Sequence, residues 1–404
     1  MQVAIVAAAS LLSVTAAAQT CPTKTRGVWT DERAYLVTAA RNAGLADLEV
    51  APPKASELAV QTKVTARQPP WAGYFMPSSS GGALSRRVNG VVESACPTEG
   101  SEWTLQSVVA RCPENAPCEH HLSPVEKLAL ISNMKPIDAR RLVEFECEKR
   151  GDGYGSKRTF SRGDGYCNGV RAASLLYREP ERTVTHAVHG RKVVWTPWDS
   201  KALLSLASMN VQGYAQVPNN MHQEDMSPVT FDVAVFKVFA AGVPLVIDGD
   251  GGRECKIPEG AAPYWYHGLW NENLLQAERS CRSLRLVADG IVTHDCTVRL
   301  LTLGESEEQM KSGKSREVVA QCLAEPNMSA AVQRCNSRKI PLAIREFTYQ
   351  LDVGPDGQVT DGRWTAEKFP SIVWFPSGGM DTKQSNPYLN EQALCAVVDC
   401  TRAP

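Results

Sequence analysis

Cys167 is the residue of this chain whose type and setting best suit nucleophilic chemistry. It closes a glycine-rich, charged stretch, GDGYGSKRTFSRGDGYC, and opens NGVRAASLLY, whose small and apolar residues predict a buried helix. A thiol at a helix N-terminus meets free N–H groups and the positive end of the helix dipole, which favour the thiolate. The same N–H groups can hold the oxyanion that forms when sulfur attacks an amide carbonyl. Half of a disulfide is the competing reading, and local spacing does not choose between them. A cysteine nucleophile also needs a base, usually histidine, steadied by a carboxylate or amide. Asp248 ends the apolar run PLVID, so its carboxylate is expected at a strand end; as part of DGDGG it reads equally well as a turn residue.

The elements that must position these groups are partly legible. LSPVEKLALISN predicts a helix with Ser123 as N-cap, Pro124 in the first position and Glu126 completing a capping box. IDARRLVEFECEKR predicts a second helix that stops at Gly151. VTHAVHGRKVVWTP reads as β structure, after which Asp199 is expected to cap the short helix SKALLSLAS. FDVAVFKVF and PLVID read as neighbouring buried strands or as a helix–strand pair. Residues 272 to 340 are mixed and cysteine-rich. EFTYQLDV and QVTDGRW predict a hairpin turned at Pro355-Asp356-Gly357, followed by the strand SIVWFP. Helices early and strands late predict an α+β fold.

Composition bounds the function class. The 43 basic and 44 acidic residues are interspersed, with no basic stripe of the kind that binds nucleic acid. MQVAIVAAASLLSVTAAAQT reads as a secretory signal peptide over residues 1–18, its apolar run being too short for a membrane span. No later stretch reaches membrane length. Residues 19–64 read as a leader or pro-segment, or as a small packed subdomain. The 13 cysteines fit an oxidising compartment, where six disulfides and one free thiol would use them all. Several weaker signals carry little. The glycine–lysine loop before Cys167 lacks the ending of a phosphate loop. Asp248, Asp250 and Glu259 match positions 1, 3 and 12 of a calcium loop, but Arg253 stands where glycine is needed. Asn327-Met328-Ser329 is a glycosylation sequon, and His120-His121 beside Cys118 is more plainly explained by a disulfide there.

GYCNGVRAASLLYREP and VTHAVHGRKVVWTPWDSKALLS resemble the core of the oomycete transglutaminase elicitor family. The shared features are Cys167, the pair Glu179-Pro180, and the helix from Asp199 to Leu204. WAGYFMP, LSPVEK and the hairpin through IVWFP resemble further family segments in the same order. The resemblance covers residues 65–380, with a cysteine-containing tail over 381–404. It implies a papain/transglutaminase-like cysteine acyltransferase core with disulfide-rich extensions. It also implies a secreted protein-glutamine γ-glutamyltransferase assisted by calcium or manganese. Substrates would be proteins with exposed Gln and Lys, host or cell-wall proteins among them. At the position of the family's histidine, within S-P-V-T-F-D, this chain carries Asp232, and Asp248 matches the carboxylate that follows. The implied catalytic set is therefore Cys167, Asp232 and Asp248. A carboxylate beside a thiolate raises the thiol pKa, so either another histidine (His186, His189, His222 or His267) serves or the site is altered. A catalytically degenerate effector or wall protein and a papain-like hydrolase are the competing readings.

Overall fold

An eight-stranded antiparallel sheet divides the molecule, with helices packed on both of its faces. The computed structural model describes residues 25–88, 91–97, 103–150, 165–218, 224–248, 255–256, 266–267, 271–286, 290–366 and 368–403. The expected signal peptide, the loop before Cys167, and Asp250, Arg253, Glu259 and His222 lie outside them.

The strands are β1 (Thr62–Thr65), β2 (Ala215–Val217), β3 (Val246–Asp248), β4 (Asn271–Leu286), β5 (Val292–Leu303), β6 (Leu342–Val353), β7 (Val359–Trp364) and β8 (Val373–Phe375). Across the sheet they run β7-β6-β5-β4-β3-β8-β2. β4 shares its second edge between β3, which pairs with its first residues, and β1, which pairs with Gln276 to Arg279. The mixed stretch after residue 271 is thus dominated by the long β4–β5 hairpin, pinned by Cys281–Cys296 directly across the two strands. The β6–β7 hairpin and β8 form where the sequence predicts them.

The α-helices of six residues or more among the described residues are α1 (Trp29–Asn42), α2 (Pro124–Ile131), α3 (Pro136–Arg150), α4 (Cys167–Leu176), α5 (Pro197–Ala207), α6 (Pro228–Val233), α7 (Ser315–Leu323), α8 (Met328–Ser337) and α9 (Glu391–Val397). α2 starts as expected: the Ser123 hydroxyl accepts from the Glu126 N–H, and the Glu126 carboxylate accepts from the Ser123 N–H. α5 begins three residues earlier than expected. Thr196 is its N-cap, and Asp199 completes the capping box from inside the helix. Its carboxylate also holds the buried Lys127 ammonium of α2 at 2.8 Å. FDVAVFKVF is helical throughout, α6 running into a wider π-helical segment, Ala234–Phe239, so it forms a helix–strand pair with PLVID.

Period-two alternation sorts side chains between the two faces. Val246 and Trp374 join α2, α4 and α5 in one apolar core, whereas Ile247, Val373 and Phe375 join α1 and α6 in another. α7 and α8, linked by Cys322–Cys335, pack Val319, Met328 and Ala331 against Leu275, Leu301 and Leu303. The expected leader is instead part of the fold from at least Trp29 onward. Leu36, Ala39 and Leu58 are buried in the second core, and β1 is a sheet strand. The tail likewise packs Leu394 and Val398 into the first core beside Cys395–Cys400.

Five disulfides form among the described residues: the three already named, Cys96–Cys147 and Cys112–Cys118. Cys96–Cys147 closes the longest loop, 51 residues, worth about 4 kcal/mol in the chain-entropy account. Cys21 and the Cys255 side chain lie outside the described residues. Cys167 is the free cysteine among those described.

Candidate active site

Cys167 is the first residue of α4, and its helix is pressed onto α5 and the start of β4. Small residues permit this. A Cβ at Gly169 would collide with the Ser205 carbonyl of α5, so glycine is required at that crossing. On the sheet side, the Asn273 amide donates to the Ser174 hydroxyl at 2.7 Å. Arg171, one turn beyond Cys167, donates from Nε to the Asn271 carbonyl at 2.8 Å.

This docking brings Asn271 to the sulfur. Its Nδ2 lies 3.5 Å from Cys167 Sγ and 2.7 Å from Asn168 Oδ1. Its Oδ1 accepts from the indole N–H of Trp374 at 2.8 Å. An indole can only donate, so the amide orientation is fixed and Nδ2 must face the thiol. Asn271 therefore presents a donor to the sulfur from the sheet, while the open N–H groups of the first turn of α4 present others from the helix.

Asp248 sits beside this group. Asn271 and Asp248 are directly paired across β4 and β3, so their side chains stand on the same face with Cβ atoms about 5 Å apart. Asp248 is fully buried, and the Ser371 hydroxyl donates to its carboxylate at 2.9 Å. The strand-end placement read from PLVID is what the structure contains.

Asp232 is elsewhere. Its carboxylate accepts from Arg279 Nη1 and from the Tyr349 hydroxyl, both at 2.6 Å, so each oxygen is engaged. Arg279 stands eight residues beyond Asn271 on β4, which at about 3.3 Å per residue is roughly 26 Å along the strand. The structure thus places Asp248 beside Asn271, the residue that meets the sulfur, and leaves Asp232 at the far end of that stretch of β4. A motif alignment cannot see which strand a buried carboxylate will meet.

No histidine is bonded to Cys167 among the described residues. His186 lies on the Val184–Val188 strand of a separate hairpin and His189 in its turn, at φ 47°; the His267 side chain lies outside the described residues. Burial is the largest influence on the thiol and raises its pKa; the Asn271 amide, Arg171 and a bond at Asn168 pull it down, and Glu305 pushes it up. Desolvation thus outweighs the helix terminus from which a lowered pKa was expected. Among the described residues no group of three His, Cys, Asp or Glu is arranged to hold a metal ion. No helix among them is long and apolar enough to cross a membrane.

Sequence reasoning missed Asn271, Trp374 and Glu305. The available signal was Asn-Glu-Asn at 271–273, three polar residues directly before the apolar pair Leu274-Leu275, which forecasts buried hydrogen bonding.

No protein-family model and no curated protein matches the chain. Its structure is similar to the crystal structure of the GP42 transglutaminase from Phytophthora sojae, with a TM-score of 0.58 at 15% sequence identity. The match covers 90% of this chain and 96% of the other. The resemblance read from the sequence therefore extends to three dimensions, and the chain is built on a transglutaminase-like scaffold.

Proposed function

We propose that this protein is a secreted protein-glutamine γ-glutamyltransferase with Cys167 as its nucleophile. The observation that carries the proposal is one free sulfur, at the head of a buried helix on a transglutaminase-like scaffold, with an amide donor locked toward it. The sulfur attacks the γ-carboxamide carbon of a substrate glutamine. The developing oxyanion is held by Asn271 Nδ2 and the first N–H groups of α4. The C–N bond then breaks, and the departing nitrogen takes up the thiol proton and leaves as ammonia. The remaining thioester is attacked by a lysine amine; the C–S bond breaks, an isopeptide forms and the amine proton returns to sulfur. Asp248 is assigned to steadying the polar groups at the end of β3. Asp232 is assigned a structural role through Arg279 and Tyr349.

The five disulfides support an oxidising, extracellular setting. Proteins with exposed Gln and Lys are the proposed substrates. Calcium or manganese assistance belongs to the test, and no step is routed through a metal. The decisive experiment is incorporation of a fluorescent amine into casein, with and without either ion. Incorporation that Cys167→Ser abolishes is the expected result. Folded protein that incorporates nothing favours the degenerate scaffold, a reading that the raised thiol pKa and the lack of a described histidine at the sulfur also support. Peptide release without amine incorporation favours a hydrolase.

A further inference from the structure

Glu305 takes no part in the acyl transfer above, yet its setting is built. It follows β5 and meets the guanidinium of Arg171, which donates from Nη2 to one carboxylate oxygen and from Nη1 to the Gly304 carbonyl at 3.3 Å. Its side chain is 10% exposed, and its second oxygen, Oε2, is buried without a partner at full hydrogen-bond geometry, the Phe75 backbone being the group beside Arg171 that steadies the carboxylate. A buried carboxylate oxygen left open in this way is costly unless the group can shed its charge. Arg171 lies four residues after Cys167 in α4, so the two side chains share one helix face. The Arg171–Glu305 pair thus stands against the nucleophile.

The charged and titratable groups facing Glu305 are few. Arg171 comes from α4, together with Cys167 at its head. Glu272 comes from β4, where Arg345 of β6 holds it at 2.6 Å. Tyr74 approaches from the segment that follows β1, and Glu307, itself bonded to Arg87, acts on the same tyrosine. Burial is the largest influence on Glu305 and outweighs Arg171, lifting its pKa to about 7.

We propose that Glu305 is a positioning residue that sets the ionisation of Cys167 by opposing or releasing the charge of Arg171. This rests on Cys167 being the nucleophile. With the carboxylate ionised, Arg171 is neutralised and the sulfur keeps its proton. With Glu305 protonated, Arg171 acts on the sulfur unopposed and the thiolate is favoured. The two ionisations are thereby coupled, the charge of each acid opposing the charge of the other.

The test is a pH titration of the ultraviolet thiolate absorbance, taken as the difference between each protein and the same protein carrying Cys167→Ser. The subtraction cancels every other thiol and tyrosine. Glu305→Gln keeps an acceptor for Arg171 and removes the charge, so its thiol midpoint falls by about one pH unit, a unit charge acting across several ångström. Glu305→Asp keeps the charge and titrates with the wild type. Glu305→Met is a second uncharged variant should glutamine prevent folding, which thermal unfolding checks. Midpoints of the uncharged variants that coincide with the wild type overturn the inference. Amine incorporation by the wild type, measured alongside, judges the nucleophile separately, because the absorbance reads ionisation whether or not the sulfur reacts.

Discussion

Strand β4 carries two buried polar clusters, one at each end of an eight-residue stretch, and they are finished differently. At Arg279 the Asp232 carboxylate is fully engaged, although Arg279 Nε is buried without a partner. Both carboxylate oxygens are taken, Arg279 also reaches the Glu57 carbonyl at 2.9 Å, and the guanidinium lies 4.7 Å from the Phe236 ring centroid. At Asn271 the pairing is deliberately incomplete. A partly exposed thiol makes two long amide contacts, accepting from Asn271 Nδ2 at 3.5 Å and donating to Asn168 Oδ1 at 3.6 Å, and Glu305 Oε2 is left without a side-chain partner. A carboxylate with both oxygens paired fixes a fold, whereas a thiol and a carboxylate left partly open are able to bind or titrate.

Four substitutions break or sharpen that contrast. Cys167→Ser has the largest expected effect: amine incorporation falls by more than about a thousandfold, because a neutral hydroxyl without a base is a weak nucleophile, while thermal unfolding is little changed. Asp232→Ala comes next and acts on stability. It strands the Arg279 charge and the Tyr349 hydroxyl, so about 3–5 kcal/mol is lost in denaturant unfolding, with activity per folded molecule retained. If Asp232→Ala instead removes activity from a protein of wild-type stability, the two clusters are not divided as described. Asn271→Ala lowers kcat by about 10²–10³ as an oxyanion donor is lost, with a smaller change in stability, read by steady-state amine incorporation. Trp374→Phe is the mildest. It frees the Asn271 amide to turn while keeping an aromatic ring, and a kcat loss of about tenfold or less is expected, equivalent to one neutral hydrogen bond.

The same contrast explains which parts of the molecule could be read in advance. Ser123, Pro124 and Glu126 announce α2 because a capping box is closed within four residues. Pro355-Asp356-Gly357 announces its hairpin for a similar reason, with Gly357 at φ 77° in the turn. Asp199 was visible as a capping residue but misplaced by three positions, because Thr196 and Asp199 bond reciprocally and either reads as the cap. Residues 19–64 read as a leader or as a small packed subdomain because their short apolar segments are mixed with prolines such as Pro52 and Pro53. Their burial comes from β1 adding to β4 and from α1 lying on the sheet. Asp232 was assigned by its place in a motif, and the motif is silent on Arg279, 47 residues away in sequence.

Local chemistry in the sequence determined the helices with their caps, the terminal hairpin, and a lone cysteine at the head of a small-residue helix, since each depends on contacts within a few residues. Tertiary structure alone decided that Asn271, held by Trp374 and paired across the strands with Asp248, meets that cysteine while Asp232 meets Arg279 instead. Strand register carries that decision. Pairing Asp248 with Asn271 puts both on the face toward α4, and a slip of one residue would turn every one of those side chains to the opposite core.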